Sequence, residues 1–129
     1  QRVPVFVLLP GAKLSGQVSV LGGQVDLAPT LLSLLGVVPP GCFVGHILDG
    51  RERAPVVLNN SSVVADDRLF VAEGPAIPDG GACFAWPSGA PRPLADCADL
   101  DRYGDEQLAA SRFVVLHDLA AKIAATPLP

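Results

Sequence analysis

The first apolar stretch of this chain shows no alternation. Val3-Pro4-Val5-Phe6-Val7-Leu8-Leu9 is apolar throughout and stops at Pro10-Gly11. Such a run predicts a strand buried on both faces, as in the centre of an α/β sheet. Pro4 has no N–H to give, so it belongs at the strand's start or at an unpaired position. Residues 12–16 read as a polar loop, 17–21 as a short extended piece, and Gly22-Gly23 as a break. The period then changes. From Asp26 to Leu35, the residues Leu27, Leu31, Leu34 and Leu35 fall on one helical face. Asp26 suits the N-cap, its carboxylate facing free N–H groups. Pro29 lies in the first turn, where a missing donor costs little. Gly36 supplies a left-handed cap, and Pro39-Pro40 prevents resumption. Strand and helix together predict one βα layer.

Gly41 to Arg53 reads as a loop with one apolar anchor, Ile47-Leu48. Residues 55–72 read as β-structure in three pieces: Val56-Val57-Leu58, Ser62-Val63-Val64 and Leu69-Phe70-Val71, with Asp66-Asp67 as the turn between the last two. Ala82-Cys83-Phe84-Ala85-Trp86 is a further strand, and the Pro87–Pro91 stretch is a tight turn by composition. From Ala98 the pattern is helical in two parts. Leu100 to Ala110 predicts a weak helix interrupted by Gly104. Ser111 caps a second helix running to about Ala125, with Val115, Leu116, Leu119 and Ile123 on one face and Pro127 as the stop. The predicted class is α/β: one buried strand plus helix in 1–53, a small antiparallel sheet in 54–97, and C-terminal helices in 98–129.

Composition sharpens this picture. A length of 129 residues suits one domain. With 50% hydrophobic and 17% charged residues, there is enough apolar surface to exclude a disordered chain. Nine basic against thirteen acidic residues leave a net charge of -4, with no basic patch to neutralise phosphates, so nucleic acid is not an expected partner. The run from Val3 to Leu9 is far short of the roughly 20 residues a membrane span needs, so this segment is expected to make no membrane contact. Met is absent, Gln1 stands first, and an apolar segment follows almost at once. Chain ends are ordinarily polar and frayed. The expectation is therefore a piece of a longer protein.

Candidate chemistry is sparse. His46 lies in a Gly-rich loop and His117 opposite the apolar face of the last helix; both read as solvated residues. No His, Cys or Asp cluster has zinc spacing, and no Asp-rich loop matches a calcium site. Gly22-Gly23 before a helix faintly resembles a phosphate-cradling turn, but the Asp26 carboxylate would repel an anion there. Asp66-Asp67 reads as a wet turn rather than an acid–base pair. Asn59-Asn60-Ser61-Ser62 contains glycosylation sequons, a pattern that chance often supplies. Of Cys42, Cys83 and Cys97, the last two flank a hairpin that brings them to disulfide distance, about 5–6 Å between Cα atoms. A bridge there implies an oxidising compartment; the alternative is a pair of buried thiols in the cytosol. Cys42 is then the odd one, buried or inert.

One segment is more specific. Gly22-Gly23-Gln24-Val25-Asp26-Leu27-Ala28-Pro29-Thr30-Leu31-Leu32-Ser33-Leu34-Leu35-Gly36 resembles the GGQ-[IV]-D-x-x-PTLL-x-LLG segment of the sulfatase-like branch of the alkaline phosphatase superfamily, and within it the lipoteichoic acid synthase and phosphoglycerol transferase group. The flanks agree in order. Val3 to Gly11 resembles the family's preceding strand, and Val44-Gly45-His46-Ile47-Leu48 its G-x-x-L turn. Leu58-Asn59-Asn60-Ser61-Ser62-Val63-Val64 resembles its F-R-N-G-S-F-V strand, with Asn59 where Arg is common. Ser111 to Ile123 resembles its closing helix.

The resemblance implies a C-terminal subdomain of a sulfatase-like fold. It also implies a parent enzyme that binds a divalent metal, often manganese, and attacks a phospholipid phosphodiester with a Thr hydroxyl. In the family, that Thr, its acidic partners and a D-H-x-G motif lie upstream of the matched segments, so no catalytic, metal or cofactor residue transfers to this chain. Asn59 and Asn60 are expected near the rim of the parent's site. The expected partner is the upstream catalytic part of the same protein, in the extracytoplasmic portion of a membrane protein. Isolated, the chain is expected to self-associate through the apolar Val3–Leu9 edge. The competing readings are a self-standing binding or assembly module and a small enzyme using His46 or His117.

Overall fold

Valine pairs and a buried phenylalanine organise the sheet. The computed structural model describes residues 4–11, 16–41, 43–51, 53–74 and 77–124. Five strands, β1 (Val56–Val57), β2 (Val63–Val64), β3 (Arg68–Val71), β4 (Ala82–Ala85) and β5 (Pro91–Arg92), form one antiparallel meander in chain order. The register pairs Val57 with Val63, Val63 with Phe70, and Phe70 with Cys83. Directly opposed residues share a face. These four therefore make a single apolar row across the sheet. Val63, Phe70 and Cys83 are buried, while their strand neighbours Val64, Leu69 and Phe84 are only half-buried. This is the period-2 pattern of a sheet covered on one side.

The cover is α2 (Ala98–Leu116), entered through a 3-10 turn over Leu94–Cys97. Leu100 and Cys97 complete the buried cluster, and Tyr103 packs against it. Burying Phe70, Val63 and Leu100 contributes about 1.5–3 kcal/mol each. Gly104 does not interrupt this helix, contrary to the expectation from its helix propensity. A glycine inside a helix costs about 1 kcal/mol, but here it lets two backbones meet. A Cβ at this position would lie 2.5 Å from the Ser61 carbonyl oxygen and 2.8 Å from Val63 Cγ2. Ser111 likewise caps nothing: it sits inside α2, which runs unbroken to Leu116. The break comes later, at His117 and Asp118, where Asp118 takes φ 49°, before α3 (Ala120–Ala124). Val115 and Leu116 stay exposed while Leu119 and Ile123 are half-buried, so the predicted apolar face is covered only in part.

The N-terminal third departs further. α1 (Leu27–Leu34) follows a 3-10 turn over Gln24–Asp26. Gly36, at φ 73°, ends it in a Schellman arrangement: Val37 N donates to the Leu32 carbonyl at 2.9 Å and Gly36 N to that of Ser33 at 3.0 Å. The apolar stripe expected to pack on a sheet does not do so. Leu31, Leu34 and Leu35 are exposed, and Pro29 is the buried residue. The predicted two-sided strand also fails to form. Val3 lies outside the described residues, and residues 4–9 join no ladder; Phe6 and Leu8 are each 91% exposed. A strand of this kind needs neighbours on both edges and cover on both faces, and the meander supplies neither. Its β5 edge carries Pro91, which has no N–H to offer. That strand was missed in the sequence because a proline-rich stretch reads as a turn. Cys42, the loop residues 12–15 and the helix end at residue 125 lie outside the described residues.

Replacing Gly104 by valine should push α2 off the β1–β2 turn. We expect a loss of about 2 kcal/mol, within the usual range for overpacking, read as a lower urea midpoint with the slope unchanged. An unaltered midpoint would mean that the helix has room to move.

Candidate functional site

The motif Gly22-Gly23-Gln24-Val25-Asp26 closes on the loop Gly45-His46-Ile47-Leu48. Asp26 does not cap α1 as its position suggests; its side chain makes no bond to the helix N–H groups. The carboxylate turns the other way. Gly23 N donates to Oδ2 at 2.6 Å, and His46 N donates to Oδ1 at 2.7 Å. Asp26 is 5% exposed. A buried carboxylate is tolerated when its oxygens are met by donors in this way. Thr30 continues the clasp. Its hydroxyl donates to the Asp26 carbonyl at 2.6 Å and accepts from Leu48 N at 2.9 Å. Gly45 is required because a Cβ there would collide with the Val25 carbonyl. The motif is thus a staple between the start of α1 and a loop twenty residues on. Its oxygens are committed to backbone, and it holds no open cradle for a phosphate.

The two histidines have different neighbours. The imidazole of His46 is about half exposed, with Nδ1 4.0 Å from Asp26 Oδ1, too far for a hydrogen bond. His117 stands exposed at the end of α2, its ring centroid 4.4 Å from that of Phe113.

Asp66 and Asp67 form the β2–β3 turn and face arginines. Arg53 donates to Asp66 at 2.8 Å, and Arg68 and Arg92 lie 3.4 and 3.5 Å from Asp67. Arg68 also reaches the start of α2, donating to both oxygens of Asp99 at 2.8 and 3.0 Å and to the Asp96 carbonyl. Hydrogen bonding to Arg68 holds the Asp99 carboxyl below its ordinary range. The same bond raises the Arg68 guanidinium, and bonding to Asp66 raises Arg53. These surface pairs orient strand β3 and the helix.

Cys83 and Cys97 are joined, with Cα atoms 5.7 Å apart, tying β4 to the turn that leads into α2. Asn59 and Asn60 sit in the exposed β1–β2 turn, where Asn60 Oδ1 accepts from Ser62 N at 3.2 Å. The buried Ser62 hydroxyl accepts from Ala72 N at 3.0 Å. Among the described residues, no three His, Cys, Asp or Glu side chains are grouped to hold a metal ion. The divalent metal implied by the family resemblance therefore finds no fitting ligand set here. Among the same residues, no helix is long and apolar enough to cross a membrane.

These elements define a mixed α/β unit, a disulfide-pinned antiparallel sheet under a helix, with a glycine–aspartate staple at its side. Its sequence is similar to the lipoteichoic acid synthase-like protein YvgJ of Bacillus subtilis (strain 168), 32% identical over 97 residues that cover 67% of this chain and 16% of the relative. The similarity is to a sulfatase-like family and covers part of each chain. It spans about a sixth of the length of this relative. No family model matches the chain, and no solved structure matches it.

Removing the Asp26 side chain strands two backbone donors. Asp26→Ala should cost about 3 kcal/mol, in keeping with bonds to a charged acceptor; Asp26→Asn, which keeps one acceptor oxygen, should cost less. Urea unfolding of the two variants checks the order. Reducing the Cys83–Cys97 bridge, which spans 14 residues, should lower stability by about 3 kcal/mol. Thermal unfolding with and without reductant measures it, and coincident curves would deny the bridge a stabilising role.

Proposed function

We propose that this chain is a structural portion of an extracytoplasmic, membrane-associated phosphoglycerol transferase or sulfatase-like hydrolase. The nucleophile and the metal ligands belong to another part of the same polypeptide. The observation that carries this reading is the uncovered apolar surface. Val5, Phe6, Val7 and Leu8 are exposed in an extended segment without a sheet, and Leu35, Val38, Val115 and Leu116 are exposed beside the helices. Soluble monomers rarely leave so much large apolar surface in water; it marks a surface that packs on something else. The similarity to a relative of which the match covers only 16% supplies the partner: the rest of such an enzyme. The disulfide agrees with an oxidising, extracytoplasmic setting.

The role in that enzyme is support. The 4–9 segment contributes a strand to a sheet formed mainly by the catalytic part, and the five-stranded meander with α2 braces it. The metal, manganese or another divalent ion, serves the catalytic part as a Lewis acid. Separated from that part, the chain has no turnover and self-associates through its 4–9 segment.

The test compares the isolated chain with the product of its complete reading frame, each given manganese and phosphatidylglycerol vesicles. We expect glycerophosphate transfer from the complete product alone, and light scattering of the isolated chain to show a dimer or larger. Turnover by the isolated chain at the rate of the complete product would end this reading, as would a complete product no longer than the chain itself.

A further inference from the structure

The two asparagines of the chain, Asn59 and Asn60, stand side by side in the β1–β2 turn, and the fold treats them differently. Asn60 turns its side chain back onto the main chain, where Oδ1 accepts from Ser62 N at 3.2 Å. Ser62 is itself fixed: its carbonyl accepts from Leu58 N at 2.8 Å and its hydroxyl from Ala72 N at 3.0 Å. The donor on the Asn60 amide is therefore held by the sheet. Between the two, Ser61 takes φ 61°, a left-handed conformation uncommon for a residue with a Cβ. The Ser61 N–H donates to no described residue, and the Asn59 amide bonds to none. This arrangement matches the needs of one reaction. The main-chain nitrogen of residue 61 can close a five-membered ring on the amide carbon of residue 60. Negative charge then develops on Oδ1, and a donor already aimed at that oxygen stabilises it. A nitrogen whose proton is bonded to nothing else is open to hydroxide.

We propose that Asn60 is a self-modifying site, deamidated by the main-chain nitrogen of Ser61. Hydroxide removes the Ser61 amide proton, and the nitrogen's electron pair forms a bond to Asn60 Cγ. Oδ1 carries the charge beneath the Ser62 N–H. The Cγ–Nδ2 bond then breaks, Nδ2 takes a proton from water, and ammonia leaves. One water opens the cyclic imide at either of its carbonyls, leaving aspartate or isoaspartate at position 60. The isoaspartyl product inserts a methylene into the main chain directly before Ser61. That residue's carbonyl is the group Gly104 packs on, where a Cβ would come within 2.5 Å. The change therefore falls on the contact between α2 and the sheet, and the chemistry of one turn sets the lifetime of that contact.

The full chain is aged at mildly alkaline pH, once folded and once in urea, and conversion at 59 and at 60 is followed by peptide mass spectrometry. Urea leaves only the influence of the neighbouring residue, so it is the reference for sequence alone. The rate at 60 relative to that at 59 should be at least about threefold larger in the folded chain, because only there is the oxyanion donor in place. Isoaspartate, detected with an isoaspartyl methyltransferase, should accumulate at 60. The aged chain should have a lower urea midpoint than fresh chain. Asn60→Asp, which adds the charge without the methylene, should keep the fresh midpoint, and Asn60→Gln, which cannot close the five-membered ring, should not lose stability with age. A relative rate at 60 no larger in the folded chain than in urea overturns the proposal, as does an Asn60→Gln chain that ages as the original does.

Discussion

The close approach of α2 to the β1–β2 turn is the contact on which the C-terminal half of this protein depends. The sheet offers one apolar row, Val57, Val63, Phe70 and Cys83, and only a helix lying directly over that row removes it from water. Gly104 permits the distance. The cost of a glycine inside a helix is offset by the burial of Leu100 and Cys97, just before it, against Phe70 and Val63. The disulfide and the Arg68–Asp99 pair act at the helix's entrance, fixing its direction once the contact is made.

The other half of the chain lives under a different constraint. Among the described residues, Asp26 and Thr30 meet the backbone of 23, 46 and 48, and Gly36 closes α1. Many of its apolar groups stay open: Leu31, Leu34 and Leu35 of α1 and Val5 to Leu8 are exposed. Exposed apolar faces of this extent are ordinarily packing surfaces, and the relative that the chain resembles is the longer of the two.

Within that relation, the conspicuous Gly-Gly-Gln-Val-Asp motif has a structural explanation. Read as a string, glycines before a helix suggest an anion cradle, and an aspartate before a leucine stripe suggests a cap. In three dimensions the carboxylate is consumed by two backbone donors, Gly23 N just before it and His46 N from a loop that lies far along the chain. The residue types were informative about a demanding local geometry, but the identity of the partner depended on which loop folded back.

The sequence alone determined the local elements whose cause is local. The strands at Val56, Val63, Leu69 and Ala82, the turn at Asp66-Asp67, the α1 stop at Gly36 and the Cys83–Cys97 proximity all follow from alternation, turn chemistry and hairpin geometry. Tertiary structure decided what depends on a neighbour. Gly104 and Ser111 stay helical because packing along α2 overrides local propensity. Pro91 becomes an edge strand because it needs to accept on one side only. The Val3–Leu9 run, apolar enough to be a central strand, remains unpaired because hydrophobicity states that a residue should be buried without stating what will bury it.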